Sequence, residues 1–172
     1  GNLSFIEKAV KIDQQTLRAI YCDTISLPSN YRESLLQELT GENAVGFDKR
    51  YATTHVLFAL LFLRSNRCNG VLSLDDENKI YNEVVSLINT SDGVLDDVEV
   101  EAMAFLLASG QGDLIALAAK DALYKMQRVD GSWPSQAKIN GEALSNVSIH
   151  TTGLGLWFLL AEKSGGVFRP LL

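Results

Sequence analysis

His55 and His150 are the only imidazoles in the chain, and each stands beside a pair of threonines. Thr53 and Thr54 precede His55, while Thr151 and Thr152 follow His150. Imidazole and carboxylate are the groups that move protons near neutral pH, and they also bind zinc. The intervening stretch "LDDVEVE" (95–101) supplies carboxylates, Glu99 and Glu101 among them. His55, Glu101 and His150 are therefore the candidate catalytic residues, with Thr54, Thr151 and Trp157 as candidate ligand-binding residues. The same side chains have a plainer role. Histidine and threonine at a helix entrance satisfy nearby backbone groups, and the Thr-Thr pairs can cap.

Other chemistries lack their residues. No serine or cysteine sits in a recognisable nucleophile elbow. Gly110-Gln111-Gly112 has two glycines and no following lysine, so it reads as a helix stop and restart rather than a phosphate cradle. Cys22 and Cys68 lack C-x-x-C spacing and read as two buried thiols, whereas a disulfide between them would imply export. No metal site is expected, and no cofactor. Zinc on the histidines is the only metal chemistry the composition would support.

The chain has 172 residues, an apolar fraction of 47% and a formal net charge of −6. That length fits a single helical domain with a substantial core, and the charge excludes an electrostatic grip on nucleic acid or anionic lipid. The longest apolar run, Val56 to Leu63, is too short to span a bilayer. Gly1 without a methionine leaves open natural removal, a tag remnant or a missing leader. A cytoplasmic location is slightly favoured, with export the alternative if a leader has been removed.

The candidate residues must be held by helices, because helical periodicity dominates throughout. About seven helices are expected. The first covers Ser4 to about Asp23, a second lies near Tyr31 to Leu39, and a third covers about Asp48 to Asn66. Residues 1–47 then form an N-terminal helical segment, 48–163 a set of helical hairpins, and 164–172 a tail. Three stretches are apolar on every side: Val56 to Leu63, Ala102 to Ala108 and Gly153 to Ala161. Helices of that kind must be surrounded by protein. Between them, Asn78 to Ile88 and Leu114 to Met126 have one polar face each. The second is expected to bury Leu114, Ile115, Ala118, Ala122 and Met126. Asp75, Asp76, Asp96, Asp97 and Asp113 suit helix starts. Buried helices recurring every 45 to 50 residues suggest a double layer of inner and outer helices, against the alternative of an ordinary bundle.

One stretch points more narrowly. Leu123, Gln127, Gly131 and Trp133 fit an L-x-x-x-Q-x-x-x-G-x-W pattern, and "HTTGLGLW" follows. The pattern resembles the repeat of squalene cyclases and their prenyltransferase-like relatives, which are α/α toroids. The resemblance covers one motif of about eleven residues and the helix alternation over roughly 48 to 163. It implies an all-α fold of helical hairpins in a toroid-like double layer, here an arc or incomplete ring. It also implies that Gln127, Gly131 and Trp133 are structural, tying neighbouring helix ends. The D-x-D-D acid of the class II cyclases is absent, as is the Asp-x-Cys pairing of zinc prenyltransferases. "DDVEVE" has Val100 where a D-D-x-x-D motif needs its last aspartate.

The expected function is a helical binding or accessory module, since no recognised catalytic motif is present. Its apolar concave surface would hold a hydrophobic small molecule, a peptide or a partner protein. One alternative is a toroid-type enzyme acting on an isoprenoid or peptide through the His/Glu pocket. Another is a subunit that completes a larger toroid by oligomerisation, as a homodimer. The tail residues Phe168, Leu171 and Leu172 would then need a surface to dock on.

Overall fold

The computed structural model describes residues 6, 11–40, 49–89, 93–139 and 142–165. The fold is all-α, with seven α-helices among these residues. They are α1 (Lys11–Ile20), α2 (Tyr31–Thr40), α3 (Lys49–Ser65), α4 (Leu74–Ser86), α5 (Asp97–Ala108), α6 (Leu117–Met126) and α7 (Ile149–Lys163). A short 3-10 turn, Gly112–Leu114, restarts the chain after α5. Between α6 and α7 lies one antiparallel hairpin of β1 (Pro134–Ile139) and β2 (Glu142–Val147), with Pro134 opposite Val147 and Ile139 opposite Glu142. The helical reading of the sequence did not contain these two strands. Described residues through Glu83 belong to one compact unit and those from Val84 to a second, a division the single-domain expectation did not contain. The tail residues Phe168, Leu171 and Leu172 lie outside the described residues.

In the first unit, α3 packs against α1 and α2 and buries Ala52, Val56, Leu57, Ala59, Leu60 and Leu63. Thr16 of α1 donates to the His55 carbonyl at 3.5 Å, and the Asn66 amide just past α3 donates to the Ile20 carbonyl at 2.7 Å. Early residues meet early ones and late meet late, so α1 and α3 run in the same sense. Past Asn66 the chain turns through Arg67, whose φ of 60° is left-handed. Cys68 N–H then reaches back to the Leu63 carbonyl at 2.8 Å, and Arg67 N–H to Arg64 at 3.1 Å, the two bonds of a Schellman ending. This turn presents Cys68 to Cys22, and the two form a disulfide with Cα atoms 6.2 Å apart. The expectation of two buried thiols is thereby corrected. Both residues are half-buried, and their sequence separation of 46 gave no local signal of the pairing.

Asp76 was expected to serve a helix start, and it does so together with a longer-range partner. Its carboxylate accepts from Ser73 N–H at 2.9 Å and Ser73 Oγ at 2.8 Å, while its own N–H donates to Ser73 Oγ at 3.2 Å. Arg32 adds two bonds of 2.7 Å from α2. The Arg32 hydrogen bonds bring the Asp76 carboxyl down to about 2 against the opposing effect of burial, and Ser73 helps. A depressed carboxylate contributes stability that is complete above its ordinary value of ~4 and is lost as pH falls towards the folded value. The urea midpoint of the wild-type chain should therefore fall between pH 5 and pH 2 by more than that of Asp76→Asn. Equal slopes would show that the pair contributes nothing.

The second unit is organised around α5. Its residues from Glu99 to Leu107 are buried without a break, as a helix apolar on all sides requires. Asp96 caps it by accepting from Glu99 N–H at 3.0 Å, while the Glu99 carboxylate accepts from Asp96 N–H and from Asn89 N–H, each at 2.7 Å. Helix α6 buries Ile115 before it, then Ala119, Ala122 and Leu123. The expected face is corrected in three places, one of them Met126, which is only half-buried at the end of the helix. Leu114 is exposed because the 3-10 turn interrupts the helix there, and restarting at Leu117 rotates Ala119 rather than Ala118 inward.

Trp133 joins α6 to α7. It is 1% exposed and its indole N–H donates to the Leu123 carbonyl at 2.9 Å. Its backbone N–H donates to Thr152 Oγ1 at 3.0 Å. A Cβ on Gly155 would stand 2.7 Å from the indole ring, so only glycine lets α7 approach this closely. Upstream, Gly131 (φ 85°) makes the turn, Asp130 accepts from Ser132 N–H and Oγ, and Gln127 donates to the Gly131 carbonyl at 3.2 Å. The glutamine bond thus stays within the turn, and Trp133 alone of the motif spans two helices.

Helix α7 departs from expectation. The sequence surrounds it with protein, yet the structure covers one face: Thr151, Leu154, Gly155, Phe158 and Ala161 are buried. Ile149, Leu156 and Leu160 are 91%, 52% and 53% exposed. Composition alone cannot tell a surrounded helix from one whose second face lacks a cover.

Candidate functional site

The first turns of α5 and α7 meet side by side, with Asp97 and Glu101 on one and His150 and Thr151 on the other. Asp97 and Glu101 are four residues apart and share one face of α5. The same-sense packing of the two helices sets His150 against both. His150 Nδ1 lies 2.8 Å from Asp97 Oδ2, and Nε2 lies 3.6 Å from Glu101 Oε2. The Thr151 hydroxyl donates to the other oxygen of Asp97. Two turns further on, Trp157 packs edge-on against Phe105 with ring centroids 5.4 Å apart.

The accessibilities form a gradient. The His150 side chain is 54% exposed, that of Asp97 31%, and that of Glu101 2%. An imidazolium donates from both nitrogens and can serve both acids, whereas the neutral ring serves one as donor. A half-open imidazole between a surface carboxylate and a buried one is an arrangement able to carry a proton or to grip a hydrogen-bonding group. Ser148, not a threonine, caps α7, accepting from Thr151 N–H at 3.1 Å. The capping role considered for this Thr-Thr pair is therefore corrected. Thr151 is fully buried on Asp97, and Thr152 serves Trp133.

His55 belongs to the first unit and sits well inside α3 rather than at its entrance. Its Nδ1 is 3.5 Å from Asp13 of α1, and its ring lies 3.9 Å from that of Tyr51. Thr53 and Thr54 donate to the Lys49 and Tyr51 carbonyls one turn back, and both are buried. His150 and Glu101 are thus brought together, while His55 has an acid partner of its own. Asp97 and Asp13 are the two residues that sequence reasoning missed at these sites. For Asp97 the signal was present: Asp96 already fills the cap, which frees its neighbour to face another helix.

The first unit also has a cleft of about 160 Å³ lined by Leu60, Leu63, Arg64, Cys68, Val71 and Glu77. Arg64 pairs with Glu77 there and lies over the Tyr81 ring at 5.6 Å. Among the described residues no group of three or more His, Cys, Asp or Glu side chains could hold a metal ion, and no helix is long and apolar enough to cross a membrane. Comparison with protein-family models, curated proteins and solved structures finds no match to this chain.

Proposed function

We propose that the chain is a helical binding module whose receiving surface is the open apolar face of α7. The observation that carries this reading is the contrast between two helices of the same character. Helix α5 is covered on every side, while α7 leaves Ile149, Leu156 and Leu160 in water. Apolar side chains in a row at helical spacing mark a surface that something else covers. The same-sense packing of α5 and α7, with α6 between them in sequence, supports the layered, toroid-like reading, in which both are inner helices. An arc rather than a closed ring would leave an inner helix bare on its concave side. The Cys22–Cys68 disulfide supports an oxidising compartment.

The ligand class is hydrophobic: a small molecule, a peptide or a protein surface. Titration with 8-anilinonaphthalene sulfonate tests this directly. The wild-type chain should bind the dye at one site, and Leu156→Gln with Leu160→Gln should weaken binding about tenfold, given the apolar area removed. Unchanged binding in the double variant would refute the reading.

The His150 cluster favours a second reading, a toroid-type enzyme that uses His150 and Glu101 on an isoprenoid or peptide. The dye separates the two. His150→Asn should leave dye affinity unchanged if the surface is a binding face alone, whereas a pocket built around the imidazole would lose affinity with it.

A further inference from the structure

We propose that the cleft between α3 and α4 is a binding site for a free amino acid with a short apolar side chain. The cleft belongs to the first unit, so it does not depend on reading α7 as a receiving face. Leu60 and Leu63, buried on one face of α3, supply its apolar lining together with Val71 and Leu72. The segment that carries Val71 and Leu72 is bent by Gly70 at φ 86° and tied to α1 by the Cys22–Cys68 disulfide. The wall is therefore formed before any ligand arrives, which lowers the cost of binding. A cavity of about 150 Å³ holds one benzene molecule. The cleft, at about 160 Å³, has room for a branched aliphatic side chain of similar size.

Charge selects the polar end of the ligand. Arg64 donates to Glu77 and lies over the Tyr81 ring at 5.6 Å, so its guanidinium is held from two directions. The Arg64 side chain is 39% exposed and that of Glu77 17%, so the pair reaches the solvent. Their bond uses one guanidinium nitrogen and one carboxylate oxygen, and the other donors and the second oxygen are left for a ligand. Side by side, the two charges cancel. An anion placed on Arg64 is repelled by Glu77, and a cation placed on Glu77 is repelled by Arg64. A zwitterion meets both with the favourable sign, its carboxylate on Arg64 and its ammonium on Glu77. Both groups of an α-amino acid leave the same carbon, which suits two receiving groups already in contact. The side chain then enters among Leu60, Leu63, Val71 and Leu72.

Titration of the isotope-labelled full chain with L-valine, followed through its amide NMR shifts, tests the site. Isovalerate and isobutylamine serve as analogues that lack the ammonium and the carboxylate respectively. Valine should saturate at about millimolar concentration, shift the amides of residues 69–72, and bind about tenfold more tightly than either analogue. Two variants then read the charges one at a time, with circular dichroism confirming that each folds. Glu77→Gln leaves Arg64 alone and should make isovalerate the tighter analogue. Arg64→Gln leaves Glu77 alone and should make isobutylamine the tighter one. No saturable shift at residues 69–72 would overturn the proposal. So would an analogue that matches valine on the wild type, or a charge preference that neither variant alters. Shifts confined to α7 would place the ligand on the apolar face, overturning this site and leaving the earlier reading intact.

Discussion

Replacing Trp133 with alanine should lower the stability of the chain by about 4 kcal/mol, the upper part of the range for truncating a buried aromatic. Two losses combine at this residue. The indole fills the space between α6 and the bare backbone of Gly155, so one wall of the gap its removal leaves is backbone rather than a flexible side chain. Its N–H also satisfies the Leu123 carbonyl near the end of α6. Trp133→Phe should separate the two terms, retaining much of the ring and forfeiting about 1 to 2 kcal/mol for the hydrogen bond and the lost volume. Gly155→Ala approaches the same contact from the other side and should cost about 1 to 3 kcal/mol by overpacking. Urea unfolding followed by circular dichroism measures all three. A loss below 1 kcal/mol for Trp133→Ala would mean that the indole is not what holds α6 and α7 together.

Removal of the disulfide should have an effect of similar size in the first unit. For a pairing across 46 residues, chain entropy gives about 4 kcal/mol of stabilisation, and strain in the native state would reduce it. Cys22→Ser with Cys68→Ser should therefore melt roughly 8 to 16 °C below the oxidised wild type. Dithiothreitol should bring the wild type to the same point. Mass spectrometry after alkylation without reductant provides the complementary reading. An oxidised chain takes up no alkyl group, and uptake of two would show free thiols in the isolated protein.

The sequence made the helices legible because their signal is local. Periodicity marked α3, α5 and α7, and the amphipathic pattern expected to end at Met126 does end there. It underdetermined what lies outside a single helix. The all-apolar pattern of α7 was the same whether one face or two found protein, so the exposed stripe could not be read. Restarting at Leu117 after a 3-10 turn shifted the inward face of α6 by one residue, which a continuous-helix reading could not anticipate. The hairpin was missed because its strands lack clear alternation, although Asn140-Gly141 between them is a strong hairpin dipeptide. The chemistry divides in the same way. His150 and Glu101 were identified by residue type, but Asp97 became visible only once two helices lay side by side. Cys22 and Cys68 met through the packing of α1 on α3, which no spacing rule encodes.

The left-handed residue that ends α3 has a consequence for the accuracy of assembly. Each residue added to a helix rotates the next side chain by about 100°. If α3 ran one residue further before turning, Cys68 would face another direction and its sulfur would miss Cys22. Arg67 therefore sets the aim of a covalent bond formed 46 residues away in sequence. The place where α3 stops and the direction in which Cys68 points are thus one geometric choice, made at Arg67.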